Sequence, residues 1–162
     1  MRWLLALVFA SLAVAAQAVV IAEEGKAQLP IVVARETELA RELATFLQRI
    51  SGAKFEVTTN RVSPAIYLGS QNEFSGFDLK VNGFDGVEAF VIQPRDGSLY
   101  LIGATSKGVP HAVFTLLHEL GCRWFFPAPE WEVLPELDRV VFDRTIMDRP
   151  QILSRRIGIG FG

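Results

Sequence analysis

The sequence predicts an α+β fold, a two-layer α/β sandwich in which a mixed β-sheet carries two main helices chiefly on one face. Three observations predict it. An apolar stripe at helical spacing runs through residues 39–50, a hairpin pattern fills residues 88–103, and a second helical stripe spans residues 109–120. Half of the 162 residues are hydrophobic and 21% are charged, a composition that packs a core and excludes a disordered chain. The formal charge of −2 excludes a nucleic-acid binder acting through a broad positive field.

Residues 1–18 are set aside as a secretory leader. Arg2 supplies the positive start, Trp3 to Ala16 the apolar core, and Ala16-Gln17-Ala18 the small-x-small site, so cleavage is expected after Ala18. The alternative, an uncleaved anchor, needs about twenty apolar residues where roughly fourteen are present. The expected location is therefore secreted or periplasmic, with no membrane association after cleavage. The single cysteine, Cys122, has no partner for an internal disulfide and is expected to be a buried thiol.

The elements follow in order. Residues 26–34 read as one strand that begins near an edge, because Pro30 lacks an N–H. In residues 36–50, Leu39, Leu43, Phe46, Leu47 and Ile50 share one helical side, with Thr37 as the cap and Gly52 as the left-handed stop. Residues 55–59 are a short strand and residues 65–69 an apolar inner strand. The polar, Gly-rich stretch 70–86 reads as a long loop. The hairpin pairs residues 88–93 with 98–103 around a turn at Pro94-Arg95-Asp96-Gly97. The second helix, 108–120, carries Val109, Val113, Leu116, Leu117 and Leu120 on one side, tolerates Pro110 in its first turn and stops at Gly121. Three prolines interrupt the aromatic run from Cys122 to Pro135, and Val140 to Phe142 forms one more short strand.

Chemistry is sparse. His118-Glu119 starts a zinc-protease pattern, but the fourth position after His118 is Cys122, beyond the helix stop, and no third ligand is evident, so no metal is expected. His111 and His118 share one helical side, where solvent-facing or hydrogen-bonded roles account for them. Glu130 with Glu132, and Asp85 with Glu88, are close in sequence, yet nearby residues of an extended chain diverge, and surface carboxylates are the better reading. Ser70, Ser75, Ser106 and Ser154 lie in no nucleophile elbow. Gly158 to Gly162 has no following helix to hold a phosphate. The aromatic run is the most specific feature: Arg123, Trp124 and Trp131 could stack on sugar rings, whereas packing on a neighbouring domain explains them together with Phe125 and Phe126.

Gly86-Val87-Glu88-Ala89-Phe90-Val91-Ile92, Leu99-Tyr100-Leu101-Ile102-Gly103, Lys107-Gly108-Val109 and the helix end Leu117-His118-Glu119-Leu120-Gly121-Cys122-Arg123-Trp124-Phe125-Phe126-Pro127 together resemble the N-terminal domain of bacterial α-glucuronidases. That module is similar to the domain preceding the barrel in β-N-acetylhexosaminidases. Glu42-Leu43, Ile50-Ser51-Gly52-Ala53 and Ile66-Tyr67-Leu68-Gly69 fit the same pattern, so the resemblance runs from Gln28 to Pro135. Beyond the leader at 1–18, it implies an α/β domain at 19–148 and, at 149–162, the start of a truncated (β/α)₈ barrel. It further implies a non-catalytic accessory domain of a secreted glycoside-hydrolase-like protein of carbohydrate metabolism. No catalytic residue carries over, because in the relatives these lie in the barrel; no cofactor is implied. The partner is the C-terminal barrel of the parent chain, met by Trp124, Phe125 and Phe126, with Arg123 and Trp131 at the rim of a substrate cleft. An independent carbohydrate-binding module is the alternative, and a small metallohydrolase a third reading.

Overall fold

The computed structural model describes residues 18–81, 86–126 and 128–150. The expected leader, apart from Ala18, and most of the expected barrel lead lie outside these residues, as do Asp85, Pro127 and Ser154. In chain order the strands are β1 (Val19–Glu23), β2 (Lys26–Ala27), β3 (Ile31–Val33), β4 (Val57–Thr58), β5 (Ile66–Ser70), β6 (Phe90–Arg95), β7 (Ser98–Gly103), β8 (Arg123–Trp124), β9 (Glu132–Val133), β10 (Arg139–Phe142) and β11 (Ile146–Asp148). Helix α1 (Glu38–Ser51) follows β3, α2 (Val109–Glu119) follows β7, and a 3₁₀ turn occupies Pro129–Trp131.

The main sheet has the order β11-β6-β7-β5-β3-β4; β4, β3, β5 and β7 run parallel, and β6 and β11 add antiparallel pairs. This is the expected mixed sheet. Alternation along its strands separates two faces. Ile31, Val33, Ile66, Leu68, Leu99, Leu101, Phe90 and Ile92 pack beneath both helices, against Leu43, Leu47, Ile50, Val113, Leu116 and Leu117. Val32, Val91 and Ile102 face the other way, where Phe74 and Leu79 of the loop after β5 cover them. The loop at 70–81 is thus a covering layer. Tyr67 stacks on Tyr100 at 4.8 Å, and the guanidinium of Arg95 lies 4.4 Å from the Tyr100 ring centre and 4.8 Å from that of Phe77. These half-buried groups close the layer's margin by cation–π contact.

Local chemistry explains the boundaries. Thr37 Oγ1 accepts from the Ala40 N–H at 3.2 Å, and the chain turns left-handed at Gly52, as expected for α1. Gly121 ends α2 at φ 104°, with its N–H donating to the His118 carbonyl and that of Cys122 to Leu117. This pair of bonds is a Schellman stop.

Several elements differ from expectation. The strand expected over 26–34 is two: Lys26–Ala27 pairs with β1, whereas Ile31–Val33 sits inside the main sheet, and Pro30 separates them. The hairpin turn is shorter, because only Asp96 and Gly97, at φ 52° and 75°, leave the ladder. Pro94 belongs to β6, in a stretch beyond the end of β11, where its missing N–H breaks no pair. Finally, β1 and β11 have no counterpart in the sequence reading. A three-stranded sheet of order β10-β1-β2 contributes Val19, Ile21, Val140 and Phe142 to the helical-side core.

The β7–α2 junction is sterically tight. A Cβ on Gly108 would lie 2.3 Å from the Ala89 carbonyl oxygen, and one on Gly103 2.5 Å from the Val109 nitrogen. Gly108→Ala is therefore expected to destabilise the domain by about 2–3 kcal/mol. Urea unfolding of the two proteins measures the difference.

Candidate functional site

The aromatic run folds as a ribbon at the end of the helical layer. After the Gly121 stop, β8 and β9 pair antiparallel, with Arg123 opposite Val133 and Trp124 opposite Glu132. The connection is compact: the Phe125 N–H donates to the Trp131 carbonyl at 3.2 Å and the Trp131 N–H to Ala128 at 3.0 Å.

Alternation divides the ribbon's side chains. Trp124 turns inward, its ring edge-on to Phe46 of α1 at 5.3 Å and to Phe114 of α2 at 5.7 Å. Arg49 of α1 pairs with Glu132 at 2.8 Å and lies over the Phe46 ring, fastening β9 to the same helix. Phe125, Phe126, Trp131 and Val133 stay outside, 69%, 62%, 53% and 52% exposed. Phe126 and Trp131 are neighbours, 6.2 Å between ring centres.

The five residues singled out from the sequence thus lie on one ribbon, in three environments. Trp124 is a half-buried part of the domain's own packing. Phe125, Phe126 and Trp131 form the exposed face. Arg123 is half-buried, and its Nη1 donates to the carbonyls of His118 at 2.6 Å and Cys122 at 2.7 Å, placing positive charge at the negative end of α2. The sequence reading missed the role of Phe114, and the signal was available: it falls outside the α2 apolar stripe, on the side facing solvent.

Beside the ribbon, Pro110, His111, Phe114, Thr115, His118 and Trp124 line an open groove of about 440 Å³. His111 Nε2 lies 3.4 Å from Glu88 Oε2, and its ring stacks on Phe90. His118 and Cys122 do not converge, since one is exposed on α2 and the other buried beneath it. Among the described residues no three ligating side chains gather. Glu130 is exposed and Glu132 is held by Arg49. Ser70 is buried and donates to Glu73, while Ser75 and Ser106 are exposed.

No family model and no curated protein matches the chain. One solved structure shares the fold, and a second overlaps it in part. A family GH115 4-O-methyl-α-glucuronidase with specificity for decorated arabinogalactans superposes over 80% of this chain and 18% of its own, with a TM-score of 0.57 and 18% identity. A GH20 exo-β-N-acetylglucosaminidase from Vibrio harveyi superposes over 83% of this chain and 17% of its own, with a TM-score of 0.48 and 17% identity. The chain therefore spans less than a fifth of the length of these glycoside hydrolases.

Two outcomes follow from the geometry. Trp124→Ala removes packing between both helices and the ribbon and is expected to cost about 2–4 kcal/mol, whereas Phe125→Ser should shift stability by less than about 0.5 kcal/mol. Denaturant titration compares them. Burial pushes the Cys122 thiol above its ordinary value of 9.0, against the lowering influence of Arg123 and Arg49. The thiol is therefore protonated and unreactive while folded, and a thiol reagent at pH 8 should label it only as fast as the domain opens. A raised folded value means that its contribution to stability is intact below the unfolded thiol's pKa and lost as pH rises through the folded one.

Proposed function

We propose that residues 19–148 are a non-catalytic accessory domain of an exported glycoside hydrolase, freed of a leader at residues 1–18 and followed from residue 149 by a catalytic (β/α)₈ barrel. The observation that carries this reading is the outward face of the ribbon, Phe125, Phe126 and Trp131, on a scaffold that Trp124 locks to both helices. The superposition on less than a fifth of a much longer glycoside hydrolase supports it.

Exposed aromatics of this size leave roughly 400 Å² of apolar surface in water, and covering it is worth on the order of 10 kcal/mol before ordering costs. A covalently tethered partner meets that face at high effective concentration. In this arrangement Phe125 and Phe126 anchor the barrel, with Trp124 holding them in place from below. Arg123 and Trp131 stand at the rim, where the substrate cleft of the parent opens.

One feature favours a second reading, an independent carbohydrate-binding module: the groove beside α2 combines the Trp124 and Phe114 rings with the hydrogen-bonding groups of His111, Thr115 and His118.

The test uses the coding sequence beyond Gly162 and the parent protein it specifies. Phe126→Asp with Trp131→Asp is expected to uncouple the domain from the barrel, turning one thermal transition into two, while residues 19–150 alone hydrolyse no glycoside. A reading frame that ends at Gly162, with the isolated chain turning over a glycoside, overturns the proposal. Calorimetry with xylan fragments and amino-sugar oligomers separates the second reading: saturable heat lost in Phe114→Ala favours the binding module.

A further inference from the structure

The connections of neighbouring strands part company at the end of β5. The chain leaving β3 enters α1 and that leaving β7 enters α2, both on the helical face, whereas the chain leaving β5 turns to the opposite face, where Phe74 and Leu79 cover the sheet. β5 lies between β3 and β7 and runs parallel to both. Connections that depart toward opposite faces leave a crevice at the carboxyl ends of parallel strands, which is where open α/β sheets take their ligands. A cleft of about 130 Å³ opens at that place.

Its floor is buried and apolar, with Val33, Leu68 and Val109 around the backbone of Gly69. A Cβ on Gly69 would lie 2.9 Å from Glu73 Oε2 and 2.7 Å from the Phe74 ring, so the missing side chain is what lets the Glu73 carboxylate sit against the strand end. That carboxylate is fixed: Oε2 accepts from the Ser70 N–H at 2.8 Å and from the Ser70 hydroxyl at 2.9 Å. Its Oε1 has no partner among the described residues. Arg35 and the Ser106 hydroxyl stand exposed at the mouth of the same cleft. Among the described residues Arg35 makes no ion pair, with Glu73 or any other carboxylate.

We propose that this cleft binds a small α-amino acid as its zwitterion. The Arg35 guanidinium, whose planar donors match a carboxylate, takes the ligand's carboxylate, and Glu73 Oε1 accepts from its ammonium group. A short side chain rests on Leu68 and Val109. A simple anion would meet the fixed negative charge of Glu73, and a simple cation the positive charge of Arg35; a ligand carrying both charges complements both. Size agrees, since a water fills roughly 30 Å³ and the cleft therefore has room for about four, the space of alanine or serine. No aromatic ring is among the lining residues, so a sugar has no stacking platform there. The cleft lies where both helices begin, and the ribbon follows the end of α2, so this site is separate from the aromatic face.

The test is an NMR titration of the ¹⁵N-labelled full chain with L-alanine, L-serine, acetate, methylammonium and glucose, following the amides of Gly69, Glu73 and Ser106. Saturable shifts with alanine or serine at millimolar or lower concentration are expected, with acetate and methylammonium about 10-fold weaker and glucose without effect. Arg35→Gln, at an exposed position, and Glu73→Gln, which keeps an oxygen for the Ser70 N–H, are each expected to weaken amino-acid binding about 10-fold with the urea midpoint unchanged. Phe125→Ser, on the ribbon, is expected to bind as the parent chain does. No saturable shift with either amino acid overturns the proposal, as does amino-acid binding that survives both cleft substitutions. Acetate binding as tightly as alanine and indifferent to Glu73→Gln, or glucose shifting the same amides, overturns the zwitterion assignment.

Discussion

A parallel sheet cannot leave a face in water, because the strands at its centre have apolar side chains on both sides. Here that constraint falls on β3, β5 and β7, whose alternate residues are buried above and below. Two helices cover one side. The other receives no helix among the described residues and is covered by the segment after β5, which drives Phe74 and Leu79 onto Val32, Val91 and Ile102. The segment is held there by specific bonds: the Gln71 side chain exchanges hydrogen bonds with the backbone of Leu79, and the Glu73 carboxylate accepts from the Ser70 backbone and hydroxyl. A polar, glycine-containing stretch thus does the work of a layer.

The same demand shapes the ribbon. Covering β3, β5 and β7 sets α1 and α2 side by side, and the outer ends of their contact carry Phe46 and Phe114. Trp124 fills the angle between those rings, which commits β8 to one orientation and turns Phe125 outward by simple alternation. Arg123 is drawn to the carbonyl end of α2. The exposed aromatics are therefore a product of the core beneath them.

Much of the scaffold was legible in the residues, and where reading fell short the cause is physical. Helix α1 declares itself through a local period, a capping threonine and a glycine stop, and β6–β7 through an Asp-Gly turn whose two residues adopt positive φ. These signals lie within a few residues of one another. β1 and β11 acquire their meaning only from partners far along the chain, Phe142 and Ile92 among them, and stretches of five and three residues have no period by which to announce that pairing. Residues 26–34 were misread for the opposite reason: a single β-prone run, KAQLPIVVA, conceals that Pro30 divides two sheets. At the ribbon, composition identified the residues and pairing alone distributed their roles.

The short ladder between β11 and β6 has a mechanical consequence. Ile146, Met147 and Asp148 are aligned with Ile92, Val91 and Phe90, so the backbone leaves the sheet along an axis dictated by β6. A pull along that axis loads every rung of the ladder together instead of peeling them one at a time. A load applied to Ile146–Asp148 along that axis reaches the parallel centre of the sheet through β6 and β7.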